Sequence, residues 1–401
     1  MALRSGRTLL RVAKKVLILG STGSIGEQAL EVVAASSELE LCGLSAGHRW
    51  ERLCEQAREH GVRQVALSRA DAAESAATEL GSDTRVLSGD AGVRELIPAA
   101  QPDLVLNAIV GFAGLGPTIA ALSLEIDVAL ANKESLIVGG ELVMALAEAG
   151  GARLIPVDSE HSALHQLLSK EAPGTADHLL LTASGGPFRG RADLAQITPA
   201  EALAHPTWEM GGRISIDSAT LMNKGFEVIE AHHLFGFPYE RIGVVVHPQS
   251  IVHALVQLND GASLAHLGHP DMRVPISYAL HHPERVDVDT PALDLAAVGE
   301  LTFEPPDTDV FACLRLAREA GLAGGTAPCA LNAADEVAVD AFLEGRLAFT
   351  GIAEVVQDTL ERAPNAAPGH FEDLFTADAE ARELAAAAVE RVSAGARSGA
   401  G

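Results

Sequence analysis

The sequence predicts an α/β protein in three parts: a parallel sheet flanked by helices, a second α/β region with long loops, and a helical C-terminal region. Three observations carry this reading. From Lys15 onward, short Val/Ile/Leu runs alternate with helical patterns, the rhythm of a parallel sheet with helices on both faces. The first apolar run passes directly into a glycine-rich turn and then a helix. Beyond a Pro- and Asp-rich stretch, 287–309, apolar residues recur only at helical spacing.

In chain order, Val16–Leu19 reads as a strand, followed by a helix to about Ala35, a strand at Leu39–Leu44, a helix at Trp50–His60 and a strand at Val65–Leu67. Further strands are predicted at Val105–Val110, Val128–Ala131 and Leu154–Val157, so the first domain spans 15–157. The uncharged run Leu104–Leu124 has the length of a membrane span, but Asn107, Gly111, Gly114, Gly116 and Pro117 interrupt it. It reads as a buried strand, a loop and a helix start. A second domain, 158–290, carries Gly, Pro, Ser and His between strands such as Val244–His247 and Ile251–Gln257. A linker is predicted at 291–320 and a helical domain at 321–393. Within it, Leu331, Ala334, Ala338, Ala341 and Phe342 share one helix face that ends at Gly345, and Ala379–Val392 forms a second helix. Residues 1–14, basic and without an acid, read as a flexible terminus too short for a targeting leader, and 394–401 as a flexible tail.

The 401 residues are 48% apolar and 21% charged, which excludes disorder, collagen and coiled coil. A formal charge of −25 repels nucleic acid and anionic membranes over most of the surface. A phosphorylated ligand must therefore be held by local chemistry. The cysteines at 42, 54, 313 and 329 have neither metal-ligand spacing nor the density of a disulfide scaffold, which fits a reducing, cytoplasmic setting.

The turn after the first strand reads Gly20-Ser-Thr-Gly23-Ser-Ile-Gly26. A strand, a glycine turn and a helix in that order bring backbone N–H groups and a helix N-terminus to a pyrophosphate, the Rossmann geometry. An NAD site places an acid at the end of the second strand; here Ser45-Ala-Gly47-His48-Arg49 stands instead. That favours NADP, with Arg49 facing a 2′-phosphate, against the plainer reading of Arg49 as a solvated charge.

Leu154-Ile-Pro-Val-Asp158-Ser-Glu160 ends a strand with two carboxylates at i and i+2, which the two-residue strand period puts on one side. Two adjacent anions need a cation. Oxygen ligands suit Mg²⁺ or Mn²⁺, but on spacing alone a solvated acidic loop fits equally. Thr182-Ala-Ser184-Gly-Gly-Pro187 resembles an anion-cradling turn. Asp217-Ser218, Asn223, Lys224 and Glu227 gather a hydroxyl, an amide, a cation and a carboxylate in one short segment. Lysine occurs only five times, so Lys133 and Lys224 draw notice, although either alone reads equally as a surface residue. His205-Pro-Thr-Trp208-Glu-Met210-Gly211-Gly212 suits either a lid over a reacting group or an anchored static loop.

Taken together, GSTGSIG, ANKESL, PVDSEHSA, LTASGGPFR, HPTWEMG, DSATLMNKGFEVIEA, HPQSIVH and GHPDMR, in that order, resemble the 1-deoxy-D-xylulose 5-phosphate reductoisomerases of the non-mevalonate isoprenoid pathway. The resemblance runs from about Lys15 to about Val392. It implies NADPH- and metal-dependent isomerisation and reduction of a small phosphorylated sugar, and a homodimer. It implies cofactor contacts at Thr22, Gly23, Ser24, Ile25, Gly47, His48, Arg49, Asn132, Glu134 and Gly211, and metal ligands Asp158, Glu160 and Glu227. It further implies substrate contacts at Lys133, Ser159, Glu160, His205 and Glu227, phosphate contacts at Ser184, Ser218, Asn223 and Lys224, and lid residues Trp208 and Met210. Lys133, Glu160, His205 and His253 are the expected catalytic residues. The chain departs from the family at Arg49, commonly Asn, and Arg213, commonly Lys. A simple NADP-linked dehydrogenase would share the glycine loop, and a non-catalytic NADP-binding protein would share only the first domain.

Overall fold

The computed structural model describes residues 13–208 and 211–399, with side chains described through 395. Seven parallel strands form the first sheet: β1 Lys14–Leu19, β2 Leu39–Ala46, β3 Gln64–Leu67, β4 Arg85–Ser88, β5 Leu104–Asn107, β6 Asp127–Leu130 and β7 Leu154–Pro156. Their spatial order is β4-β3-β2-β1-β5-β6-β7. The chain reverses direction across the sheet between β1 and β5, and that is where a parallel sheet opens a crevice at its carboxyl edge. Both faces are covered, so Val16, Ile18 and Leu44 enter one apolar cluster while Leu17, Leu19 and Val105 enter the other. This explains why the strands read as unbroken apolar runs. The Leu104–Leu124 run is strand β5, a 3₁₀ turn at Phe112–Gly114 and the helix Leu115–Ser123. Among the described residues, no helix is long and apolar enough to cross a membrane.

Four strands make the second sheet: β8 Ala176–Ala183, β9 Ile242–Val246, β10 Val252–Leu258 and β11 Ser263–Leu267, ordered β11-β10-β8-β9. Only the β8–β9 pair is parallel. Leu179, Leu181, Ala254 and Val256 of this sheet share one apolar core with Leu314, Leu331, Phe342 and Val389 of the C-terminal helices.

Several boundaries differ from the sequence reading. The predicted 291–320 linker contains the start of the helix Cys313–Ala323, whose Leu314, Leu316, Ala317 and Ala320 are buried. The final helix runs Phe371–Gly399 and includes most of the predicted tail, because alanine-rich sequence propagates a helix once Leu374, Ala381, Ala385 and Val389 are packed. Lys14 opens β1 and donates from Nζ to the carbonyls of Leu280 and His282; residues 1–12 of the predicted flexible terminus lie outside the described residues. Asp158 and Glu160 do not share a strand. β7 stops at Pro156, Asp158 stands at the N-cap position of the helix Ser159–Leu168 without a side-chain capping hydrogen bond, and Glu160 lies in that helix's first turn.

Candidate active site

One cleft collects residues from the glycine loop, the ends of β5 and β6, the start of the Ser159–Leu168 helix, the turn after β8, and the bend between the helices Gly212–Ala219 and Met222–Phe235. Its first wall is the nucleotide loop. Gly26 packs so tightly that a Cβ there would meet the Gly20 carbonyl oxygen at 2.4 Å, so only glycine lets the helix start this close to β1. Gly23, Ser24 and Ile25 line the cleft, and Thr22 is buried beside them. Gly47, His48 and Arg49 follow β2 and are exposed beyond it. Asn132 is buried, and its Nδ2 donates to the carbonyls of Ile109 and Gly111 and to Glu134. Glu134 and Gly211 face the cleft.

The floor is charged. Lys133 Nζ reaches Asp158, Asn223 Oδ1 at 2.8 Å and Glu227 Oε1 at 3.4 Å. Lys224 Nζ donates to Glu160 Oε1 at 2.8 Å and also to Glu227. Asn223 Nδ2 donates to Glu227 Oε1 at 2.5 Å, and Ser159 Oγ to Glu160 Oε2 at 2.5 Å. Burial alone would lower both lysines, but the surrounding carboxylates hold each above its ordinary range. Burial opposes ionisation of Asp158 as well, yet Lys133 and then His161 hold it below the usual carboxylate range. Glu227 goes the other way: burial, then the charge of Glu160, push it up to about 7.

Behind this floor lies a buried pair that sequence reasoning missed. His161 Nε2 donates to the Glu227 backbone carbonyl at 2.9 Å, while Nδ1 faces Glu230 Oε2 at 3.5 Å and Asp158 Oδ2 at 3.8 Å. Neither Nδ1 nor the Glu230 oxygens have a hydrogen-bond partner. The helical i, i+3 spacing of Asp158 and His161 was the available signal, hidden while Asp158 was assigned to a strand. Asp158, His161 and Glu227 each offer a ligand atom within 4.8 Å of the others, and Glu160 meets Glu227 through Lys224. Buried carboxylates in excess of lysines, with orphaned polar atoms beside them, are a donor set suited to a hard divalent cation.

The anion wall follows from two tight backbone features. Gly186 has φ +67°, and a Cβ there would sit 2.8 Å from the Ser218 carbonyl oxygen, so the Ser184-Gly-Gly-Pro turn lies directly on Ser218. Leu221 has φ +60° and bends the chain into the helix that presents Asn223 and Lys224. His205 Nδ1 accepts the N–H groups of Thr207 and Trp208 at 3.2 and 3.0 Å, so its proton sits on Nε2 and is donated to Ser184 Oγ at 2.9 Å. Burial lowers His205 and His253, which favours their neutral forms. The rings of Trp208 and His253 are 6.5 Å apart over the cleft, and Met210 lies outside the described residues. Ser250, at φ +52°, Met272 and the exposed Val110 also line the cleft and were not anticipated; Ser250 was in view within HPQSIVH.

Comparison with known proteins agrees with this arrangement along the chain. Residues 16–140 match the family described as 1-deoxy-D-xylulose 5-phosphate reductoisomerase, and 154–235 and 267–384 match two C-terminal domains of the same enzyme. The chain is 48% identical over 378 residues to a 1-deoxy-D-xylulose 5-phosphate reductoisomerase from Chloroherpeton thalassium, covering 92% of this chain and 96% of that one. It is 54% identical over 353 residues to one from Anaeromyxobacter sp., covering 87% and 90%. Among solved structures, the Zymomonas mobilis reductoisomerase in complex with NADPH superposes with a TM-score of 0.87 at 38% identity, covering 94% of this chain and 99% of that one. A reductoisomerase in complex with NADPH, fosmidomycin and magnesium superposes at 0.89 and 39% identity, covering 94% and 98%. With identity this high over nearly the full length of both partners, and the motifs meeting in one cleft, the chain belongs to the 1-deoxy-D-xylulose 5-phosphate reductoisomerase family.

Proposed function

We propose that this protein converts 1-deoxy-D-xylulose 5-phosphate to 2-C-methyl-D-erythritol 4-phosphate, using NADPH and Mg²⁺ or Mn²⁺, through the residues of this cleft. The observation that carries the reading is convergence. The glycine loop, three carboxylates and the Ser184, Ser218, Asn223 and Lys224 group open onto one cavity, although they come from segments up to about two hundred residues apart.

Thr22, Gly23, Ser24 and Ile25 at the helix N-terminus would hold the pyrophosphate of NADPH, with Gly47, His48 and Arg49 near the adenosine ribose and its phosphate, and Asn132, Glu134 and Gly211 would also touch the cofactor. Asp158, Glu160 and Glu227 hold the divalent ion, which when bound polarises the substrate carbonyl as a Lewis acid. Lys133 and Ser159 sit beside those ligands and orient the substrate hydroxyls. Ser184 Oγ accepts from His205 Nε2–H and from the Gly186 N–H at 3.2 Å, which leaves its own hydrogen to donate to the phosphate. Ser218, Asn223 and Lys224 complete the phosphate site, and a neutral His205 can approach the anion as a donor. Phosphate binding far from the reacting carbons supplies binding energy for orienting them. Trp208, with Met210 by resemblance, excludes water on the His253 side.

The same reading makes the enzyme a cytoplasmic homodimer. Four unpaired cysteines support a reducing compartment, the family resemblance supports the dimer, and sedimentation equilibrium tests it. The activity is tested by following NADPH oxidation with the sugar phosphate, with and without each metal, and identifying the product by NMR. Metal-dependent formation of the branched tetritol phosphate is the expected result. Reduction of an unrearranged carbonyl would replace the reading with that of a simple dehydrogenase.

A further inference from the structure

We propose that Arg213 is a positioning residue for the cofactor: it clamps the turn after β5 against the C-terminal helices and thereby sets the Ala108–Val110 floor of the cofactor crevice. This rests on the reading of the cleft as an NADPH site. Two successive backbone N–H groups of that turn are held by two different carboxylates. Gly111 N–H donates to Glu134 Oε1 at 3.0 Å, and Phe112 N–H to Glu336 Oε1 at 2.8 Å. A single atom, Arg213 Nη1, faces both acceptors, at 3.7 Å from Glu134 Oε1 and 2.7 Å from Glu336 Oε1. Nη2 reaches Asn332 Oδ1 at 3.1 Å and Asp335 Oδ2 at 3.3 Å on the helix Ala327–Leu343, and Nε faces Asp217 Oδ2 at 3.7 Å, next to Ser218. Arg382 of the last helix holds the other oxygen of Glu336 at 2.7 Å.

The turn is built to receive this clamp. Gly111 has φ +80°, and a Cβ there would lie 2.8 Å from Glu336 Oε1 and 2.9 Å from Arg213 Nη1. The guanidinium thus occupies the space a side chain would fill. The residues just before it, Ala108, Ile109 and Val110, line the cleft, and Val110 is 66% exposed. A planar fork with several donors serves partners on three sides at once, whereas an ammonium is a point charge.

The test compares the full-length protein with Arg213→Lys and Glu336→Gln, measuring NADPH Kd by fluorescence titration, substrate KM, kcat and melting temperature. Small displacements of a binding floor have large kinetic effects. Arg213→Lys is expected to raise NADPH Kd about tenfold while the KM of the sugar phosphate stays within about twofold. Glu336→Gln should raise NADPH Kd in the same direction, and the double variant should cost less than the product of the two, since both act through one turn. A lowered melting temperature with unchanged NADPH Kd in both variants overturns the proposal and leaves Arg213 a purely structural residue. Absence of NADPH binding by the parent protein would overturn the cofactor reading itself, which is a separate result.

Discussion

Glu227 accepts from Lys133, Asn223 and Lys224 and is fully buried, so its charge is tolerated only with cations around it. Glu227→Gln keeps the shape and removes the charge. It is expected to lower kcat by about a hundredfold or more while NADPH Kd changes less than about twofold; steady-state kinetics beside a binding titration checks it, and near-native turnover would remove Glu227 from the ligand set. Ser218→Ala should raise the KM of the phosphorylated substrate about tenfold, the cost of one hydrogen bond to a charged group, and leave NADPH binding unchanged. Asp335 gives a pH-dependent prediction. Burial pushes it up to about 6, above its unfolded value of about 3.9. Its contribution to stability is therefore complete below about pH 4 and is lost as the pH rises through 6. Asp335→Asn should make the melting temperature less sensitive to pH between 4.5 and 7.5 than the parent's, so that its effect relative to the parent differs at the two pH values. Equal effects at both pH values would count against this.

At the scale of elements, the nucleotide loop separates two glycines with different duties. A Cβ at Gly23 meets only the Gly20 carbonyl oxygen, at 3.3 Å, while one at Gly26 meets Gly20 and Ser21 backbone at 2.4 to 2.5 Å. Gly23→Ala should fold with little loss of melting temperature and bind NADPH more weakly, because it fills the approach to the pyrophosphate. Gly26→Ala should lose both binding and stability, because the helix can no longer start against β1. Differential scanning fluorimetry with and without NADPH distinguishes them, and equal behaviour would contradict the packing argument. The spacing of this loop was fully legible in the sequence, since strand, turn and helix are contiguous. Asp158 was not read correctly, because a strand followed by a short helix start has no period long enough to show which element owns the boundary residue.

Across the molecule, one apolar core joins the second sheet to the C-terminal helices, and Leu374, Ala385, Ala388 and Val389 of the last helix are buried in the packed interior. Removing residues 371–401 should therefore abolish cooperative unfolding and activity together, as read by calorimetry and NADPH oxidation; a truncated protein that melts cooperatively near the parent temperature would show the helix to be dispensable. The helix face Leu331, Ala334, Ala338, Ala341 and Phe342 was legible from spacing alone, and all five are buried. That these helices complete the catalytic region's core was not, because helix periodicity reports which face is covered and not what covers it.

By itself the sequence determined the parallel α/β first domain, the glycine loop and, through eight ordered motifs, the family. These are properties of contiguous stretches, where local geometry and residue type suffice. Tertiary structure alone decided which charges meet: Lys133 with Asp158, Asn223 and Glu227; Lys224 with Glu160; His161 with Glu230; and Arg213 with Glu134 and with Asp335 and Glu336, acids from two separate segments. The physical reason is that buried charges are tolerable only in pairs or clusters, and the partner of each is set by how helices and strands pack across distances of tens to hundreds of residues, about which spacing along the chain carries no information.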